Sequence, residues 1–357
     1  MKQTILGILG GGQLGRMSAL AAANLGIEVH IFTPEDASPA SFVAAKTVVA
    51  DYKNESALKD FASGVDIITY EFENIPVETL AFLKRFRPVF PDVSLLQVSQ
   101  NRIDEKSFLN KIGISTTRWA IIQSSTDVKA ALANWNADAC ILKTVRFGYD
   151  GKGQAKVHST DDIDSIRNGL SGEILIAEEI VDFQCEISMI IARNAQGETT
   201  TYGPMLNDHR NHILHTTTVP SGLPEDLCAR AVDNVRKLAD KIDLVGVLTL
   251  EMFVTKQGVL LANEIAPRTH NSGHWTIDAC AHSQFDNHVR AVCGLPLGHS
   301  ARHSDAQMLN LIGKDIEKMP EYLAQPDACP HHYGKAEARA GRKMGHVTFL
   351  KPLTDKN

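Results

Sequence analysis

Residues 248–276 read LTLEMFVTKQGVLLANEIAPRTHNSGHWT. Two apolar runs flank Lys256, Gln257 and Gly258, a composition that predicts a hairpin. Glu251 lies in the first run and Glu264 near the end of the second, so the two positions can face each other across the ladder. Carboxylates held close together repel unless a cation sits between them. Mg²⁺ suits such a pair, because it takes hard oxygen ligands and is usually completed by substrate phosphates. Asn263 can add an oxygen ligand. Both carboxylates stand in apolar runs, which disfavours a pair of freely solvated side chains. Directly after the hairpin come Arg268, His270 and Asn271, with His274 nearby. Polar groups concentrated beside a metal hairpin read as a substrate site.

The stretches before the hairpin extend this reading toward a nucleotide. Residues 174–190, ILIAEEIVDFQCEISMI, place Glu178 and Glu179 after an apolar strand and Glu186 within the next. A carboxylate in an apolar run needs a partner, either a ribose diol or a salt bridge. Backbone groups of Glu179, Ile180 and Val181 can read an adenine edge. Residues 146–154, RFGYDGKGQ, follow the strand CILKT. Gly148, Gly151 and Gly153 make a loop that carries Lys152, and Lys143 stands on the preceding strand. Such a loop can cover polyphosphate, with the strand lysine as a fixed point charge. It is no Walker A loop, since G-x-x-x-x-G-K-[ST] is absent, and a surface hairpin is the plainer alternative.

A third signal lies near the N-terminus, where residues 8–17 read ILGGGQLGRM. Gly10, Gly12 and Gly15 have the spacing of a dinucleotide-binding turn. NAD also requires an acidic residue at the end of the second strand. Here the strand IEVHIF ends in Thr33-Pro34, and Glu35 follows the proline. NAD, another phosphate-bearing ligand, and a turn needed only for packing all stay open on this motif.

The layout around these motifs is α/β followed by α+β. Residues 1–101 alternate strands (4–9, 27–32, 65–69) with helices (14–25, and one starting at Pro76), which predicts a Rossmann-like unit with a parallel sheet. Residues 102–181 read as a small middle unit with a charged helix over 102–112 and strands at 117–121, 139–143, 154–157 and 174–178. Residues 182–357 carry long strand-like runs (185–192, 199–203, 213–219), an amphipathic helix over 224–242, and the hairpin, which together predict an antiparallel sheet.

Composition narrows the class. The 357 residues are 43% hydrophobic and 22% charged, ample for a packed core. A net charge of -6 argues against nucleic acid as a partner. The apolar run after Lys2 is too short for a signal peptide and lacks a clear cleavage site, and no run approaches the ~18 residues of a membrane span. Six scattered cysteines without a C-x-x-C pair fit a cytoplasmic protein with reduced thiols.

Taken together, Lys143, the loop from Gly148 to Gln154, Glu178 to Glu186 and the Glu251/Glu264 hairpin resemble the ATP-grasp superfamily. The stretches GGGQLGRM, TYEFENIP, GYDGKGQ, NEIAPRTHNSGHWT and GRKMGHV narrow the resemblance to the N5-carboxyaminoimidazole ribonucleotide synthetases. The matching motifs run from Ile8 to Val347. The resemblance implies an ATP-grasp fold with a Rossmann-like N-terminal domain, a small lid domain and an antiparallel-sheet C-terminal domain, assembled as a homodimer. It implies carboxylation of 5-aminoimidazole ribonucleotide with ATP and bicarbonate, by way of carboxyphosphate, in purine synthesis.

Residue by residue, it implies ATP contacts at Arg102, Lys143, Gly148, Tyr149, Asp150, Gly151, Lys152, Gly153, Gln154, Glu178, Glu179, Ile180, Val181, Glu186, His209, Asn263 and Glu264. Mg²⁺ falls to Glu251 and Glu264. Tyr149, Asp150, Arg268, His270, Asn271, Lys335 and Arg342 are expected to line the ribonucleotide and bicarbonate sites, with Asp150, Arg268, His270 and Asn271 in the chemistry. Gly12, Gln13, Leu14 and Glu73 are expected beside the ribonucleotide, so that the N-terminal turn serves the substrate and not NAD. Family members run on into a further helical stretch, where this sequence stops at Asn357. The nearest alternative is another ATP-grasp ligase, such as a formate-dependent glycinamide ribonucleotide transformylase, and HNSGHWT and GRKMGHV favour the carboxylase. An NAD-dependent oxidoreductase would leave the Glu251/Glu264 hairpin unexplained.

Overall fold

The computed structural model describes residues 4–146, 148, 152–170 and 172–354. The first sheet contains β1 (Ile5–Leu9), β2 (Glu28–Thr33), β3 (Lys46–Val49) and β4 (Ile67–Tyr70), all parallel, in the order β3-β2-β1-β4. Its crossovers include α1 (Gln13–Asn24) and α2 (Glu55–Ser63), and α3 (Val77–Lys84) and α4 (Val93–Ser99) follow β4. The central strand β1 is a continuous apolar run, and β2 is buried along nearly its whole length, because both faces of the sheet are covered.

Helix α5 (Arg102–Lys111) leads to the second sheet. Its N-terminus is capped by Asn101, whose side chain accepts from the amides of Ile103 and Asp104. Although α5 precedes the small sheet in sequence, its Leu109 lies in the core beneath the largest sheet, with Ile187, Leu250 and Ile265. Glu105 of α5 accepts from the Ile265 amide at 2.5 Å, and Ala262 donates to the Ser115 carbonyl at 2.7 Å. The second sheet itself is antiparallel, in the order β5-β8-β6-β7, from β5 (Trp119–Ile122), β6 (Ala139–Thr144), β7 (Gln154–His158) and β8 (Leu175–Glu179). Helices α6 (Ser125–Trp135) and α7 (Ile163–Gly169) cover one face.

The third sheet has eight antiparallel strands in the order β13-β12-β9-β10-β11-β14-β16-β15. They are β9 (Phe183–Arg193), β10 (Thr199–Arg210), β11 (Ile213–Val219), β12 (Gly246–Thr255), β13 (Leu260–Ala266), β14 (Asp305–Ile312), β15 (Ala328–His332) and β16 (Lys343–Lys351). Helix α8 (Glu225–Lys241) presents Leu227, Ala231, Val235 and Leu238 to one face, an apolar stripe at helical spacing. A short helix α9 (Thr276–Ala279) and α10 (Gln284–Val292) cover the other side, and α11 (Met319–Leu323) precedes β15. Val289 and Val292 of α10 join Leu6, Ile8 and Ile31 in the core of the first sheet. That helix therefore ties the first sheet to the third.

The three C-terminal strands and α10 extend the sequence-based layout, which has no elements past residue 266. The pattern there is masked. Strand β15 contains Pro330, which an edge strand tolerates, and β16 buries His346 and Thr348 among its apolar residues. Among the described residues, no helix is long and apolar enough to cross a membrane.

Candidate active site

A cavity of about 470 Å³ lies between the second and third sheets, and the residues that line it come from all three units. Its floor is the β12-β13 hairpin. Glu251 and Glu264 are directly paired across the ladder. The register shifts immediately after this pair, so that Met252 faces Ala262 and Asn263 is the extra residue of a bulge. In a regular strand, neighbours point to opposite faces, whereas a bulge re-aims a side chain. Asn263 and Glu264 accordingly both line the cavity, together with Glu251.

One more carboxylate than the sequence motifs show, Glu105, stands close enough to Glu264 to feel its charge. Burial, then the nearby Glu264, push Glu251 up to about 8. The same two causes push Glu105 up to about 8. Three acidic groups crowded at one desolvated place call for a cation or for protons. Hard oxygens from Glu251, Glu264 and Asn263 match the donor set that Mg²⁺ takes. Glu105 escaped the sequence reading because RIDEKSFLNK looks like a charged, solvated helix, yet Glu105 and Lys106 are both buried.

One wall is built from β6 and β8. Lys143 reaches Glu178 at 2.8 Å, and Lys106 approaches the other oxygen of Glu178 at 3.4 Å. Burial opposes the Glu178 charge, but Lys143 and Lys106 outweigh it and hold the carboxyl below its ordinary range. Burial lowers Lys143, and Glu178 pulls it back up. Glu178 therefore has a salt-bridge partner on each oxygen and fixes Lys143 at the cavity edge. Glu179 turns its carboxylate outward to Arg118, with Arg118 Nε at 2.7 Å. Ile180, Val181 and the stacked pair Phe183 and Phe253, 4.8 Å between centroids, form an apolar slot beside it. Such a slot suits a planar aromatic base.

The loop over the cavity starts where Arg102 Nη2 donates to the Gly148 carbonyl at 3.2 Å. Gly153 has φ +70°, and a Cβ there would lie 2.6 Å from Thr144 Oγ1. Lys152 and Gln154 line the cavity. Tyr149, Asp150 and Gly151 lie outside the described residues. On the far wall, Glu186 of β9 meets His209 of β10 at 3.2 Å. Burial opposes the His209 charge, but Glu186 and Glu251 raise it overall.

At the closed end, Arg268 makes a two-pronged ion pair with Glu73, one arm at 2.8 Å, linking the loop after β13 to the loop after β4. His270 Nε2 lies 3.4 Å from Glu251, while its Nδ1 faces both the amide (3.3 Å) and the hydroxyl (2.8 Å) of Ser272. An amide N–H can only donate, so Nδ1 carries the lone pair and Nε2 the proton. Burial, then Arg268, hold His270 well below the usual histidine range. It is a neutral donor aimed at Glu251. Asn271 donates to Asn310 Oδ1 at 2.8 Å. Thr117, Ile141, His212 and Leu214 also line the cavity and carry no motif that marks them. Lys343 of the GRKMGHV stretch lines it too, and the sequence reading gives it no role.

The N-terminal glycine turn is not part of this cavity's lining. Glu71, at the end of β4, places its carboxylate in the turn, accepting from the amides of Gly12 and Gly15, the latter at 2.9 Å. An anion at a helix N-terminus is held by free amides and the helix dipole. Here the anion is the chain's own, in the place that a dinucleotide pyrophosphate would take. Gly10 has φ +108°, and a Cβ on Gly12 would lie 2.5 Å from Glu71 Oε1. The Leu14 side chain is buried with Met17, Phe285 and Tyr333. Lys335 donates to the Lys343 carbonyl at 2.7 Å, and Arg342 to the Glu337 carbonyl at 3.2 Å. Burial and the neighbouring Arg342 push Lys335 down to about 8, with Glu71 pulling the other way. Gly12, Gln13, Leu14, Lys335 and Arg342 thus lie outside the lining of the nucleotide-sized cavity.

Comparison with known proteins matches this architecture piece by piece. Residues 1–100 match the ribonucleotide synthetase preATP-grasp domain, residues 107–285 the ATP-grasp domain, and residues 306–356 the phosphoribosylaminoimidazole carboxylase C-terminal domain. An N5-carboxyaminoimidazole ribonucleotide synthase of Brucella melitensis is 47% identical over 98% of this chain and 97% of its own length. The crystal structure of an ADP complex of an N5-carboxyaminoimidazole ribonucleotide synthetase superposes with a TM-score of 0.93 at 39% identity, covering 98% of this chain and 94% of that one. The Aspergillus clavatus N5-carboxyaminoimidazole synthase, in complex with ADP and 5-aminoimidazole ribonucleotide, superposes with a TM-score of 0.91 at 29% identity over the same shares. With its motifs, its fold and its full-length relatives in agreement, the chain belongs to the N5-carboxyaminoimidazole ribonucleotide synthase family of ATP-grasp ligases.

Proposed function

We propose that this chain joins ATP, bicarbonate and 5-aminoimidazole ribonucleotide into N5-carboxyaminoimidazole ribonucleotide, ADP and phosphate. The supporting observation is the cavity itself. It runs from an apolar slot and Lys143, past the Glu251/Glu264 floor, to the Arg268–Glu73 and His270–Asn271 end. We assign ATP to the first part and the ribonucleotide to the last, close to the glycine turn and the Lys335–Arg342 loop.

Bicarbonate is a poor electrophile. Its oxygen attacks the γ-phosphorus of ATP, ADP leaves, and carboxyphosphate results. That anhydride breaks to CO₂ and phosphate beside the exocyclic amine, which adds to CO₂ and loses a proton. Glu251, Glu264 and Asn263 would hold Mg²⁺, which would supply neutralisation of the phosphate charge. Lys143, oriented by Glu178, and Arg268, oriented by Glu73, are the fixed cations of the chain on either side of the transferring group. The loop from Gly148 to Gly153 excludes water from the anhydride. His270 already bears its proton on Nε2 and is buried neutral, so it orients Glu251 and is not free to accept the amine proton. We assign that proton to Asp150. A homodimer in the cytoplasm completes the reading, and light scattering on the purified protein tests the dimer.

ADP release by purified protein with Mg-ATP and bicarbonate, with and without 5-aminoimidazole ribonucleotide, tests the assignment. Strong stimulation by the ribonucleotide is expected. No stimulation in folded protein that binds ATP would return the acceptor to formate and glycinamide ribonucleotide.

A further inference from the structure

Behind the ribonucleotide end, a buried chain of polar groups runs from Asn271 to Tyr333 and His346. Tyr333, just past β15, is 1% exposed. Its hydroxyl sits between two imidazoles, 3.0 Å from His274 Nδ1 and 2.9 Å from His346 Nδ1. One hydroxyl has one proton, so one imidazole must accept from it and the other must donate to it. The direction can be worked out from the far end. The Leu214 carbonyl only accepts, so Asn310 offers it Nδ2 (2.9 Å) and turns Oδ1 toward Asn271. Asn271 then offers Nδ2 to Asn310, and the same nitrogen faces His274 Nδ1 at 3.4 Å. A proton on His274 Nδ1 would point at that N–H. His274 Nδ1 therefore accepts the Tyr333 proton, and His346 Nδ1 donates to the Tyr333 oxygen.

The ring of Tyr333 connects the same hydroxyl to the substrate elements. It packs against Leu14 and Met17 of α1, the helix that opens from the glycine turn. Lys335 Nζ lies 5.8 Å from its centroid. One side chain thus touches the turn helix, the histidine motif and the root of the loop that carries Lys335 and Arg342. These three segments are more than fifty residues apart in sequence, and each was assigned to the ribonucleotide.

We infer that Tyr333 is a positioning residue for the ribonucleotide, acting through its hydroxyl to hold the Lys335 loop in register with Asn271 and the glycine turn. The inference rests on the proposed function. Tyr333→Phe keeps the ring and its packing and removes only the hydroxyl. Tyr202→Phe is the matched control: its buried hydroxyl donates to the His282 carbonyl at 2.9 Å and accepts from Asn287 at 2.6 Å, on residues that do not line the cavity. Steady-state ADP release is measured for both variants, with thermal unfolding alongside. Tyr333→Phe is expected to raise the KM for 5-aminoimidazole ribonucleotide about 10-fold, with the KM for ATP within about 2-fold of wild type. Tyr202→Phe is expected to lower the melting temperature similarly and change neither KM. Equal changes in both KM values of Tyr333→Phe, or none, would overturn the inference. Should Tyr333→Phe fail to fold, Asn310→Ala removes the partner at the other end of the chain, and the same split is expected. Wild-type enzyme that ignores the ribonucleotide would overturn the proposed function as well, which separates the two failures.

Discussion

Two glycine turns frame the site, and they are used in opposite ways. The first, at Gly10 to Gly15, has the stronger motif and is filled by a carboxylate of the chain itself, Glu71. The second, at Gly148 to Gly153, has the weaker motif; its described residues Gly148 and Lys152 line the cavity, and Arg102 holds the Gly148 carbonyl. Both follow a strand. Their surroundings decide what each can bind. The strand that ends beside the first turn supplies an anion, and the strand before the second supplies the cation Lys143. A spacing of glycines is therefore evidence for a bent backbone, and the charge of the neighbouring strand end shows whether an outside anion is wanted.

The largest expected effect is on the cavity floor beneath the second loop. Glu264→Gln should lower turnover by roughly 10²-fold or more, as expected when a metal clamp is lost. Near-normal ADP release at ordinary Mg²⁺ would break the metal assignment. Next comes the loop itself. Asp150→Asn should cut carboxylation by about 10-fold to 10²-fold while ADP binding, followed by calorimetry, stays nearly unchanged. Loss of nucleotide binding in that variant would move Asp150 to the phosphates.

The first turn should respond differently. Gly12→Ala puts a methyl group against the Glu71 carboxylate. It should cost roughly 1–3 kcal/mol of stability in chemical denaturation and raise the ribonucleotide KM about 10-fold, leaving ATP affinity intact. A selective fall in ATP affinity would instead place the nucleotide at the first turn. The smallest effect concerns pH. Burial, then the neighbouring Arg342, push Lys335 down to about 8, below the ordinary lysine range. It is charged below that pH and neutral above it, so kcat/KM for the anionic ribonucleotide should fall several-fold as pH rises through about 8. In Lys335→Met that limb should be absent from the pH profile. A limb that persists would belong to another group.

Much of the half proposed for the nucleotide was legible because its signals are local. Lys143 and the glycine loop are contiguous, and the Glu251/Glu264 pairing follows from one hairpin whose turn fixes its register. The bulge that brings Asn263 into line with Glu264 is not local in that sense, since it shows only in the pairing with β12. Glu105 and Lys106 were hidden because α5, which ends at Lys111, is buried by a sheet whose first strand begins only at Phe183. Their charges read as solvent-facing until the partners Glu178 and Ile265 arrive.

The half proposed for the ribonucleotide shows the limit more clearly. Glu73 and Arg268 are each recognisable as polar residues in motifs, yet their mutual ion pair spans 195 positions. The same holds for Glu71 in the glycine turn, and for α10, whose apolar face is divided between two sheets. Short-range periodicity and turn chemistry settle which segments become strands, helices and loops, because those preferences act over a few residues. They were enough here to find the hairpin with facing carboxylates and to predict three units and two glycine loops. Which loop meets an outside anion, which carboxylates are desolvated and which imidazole carries its proton where depend on burial and on partners from distant segments. Those are fixed only when the three sheets pack, since the energy of a charge is set by its surroundings and not by its neighbours along the chain.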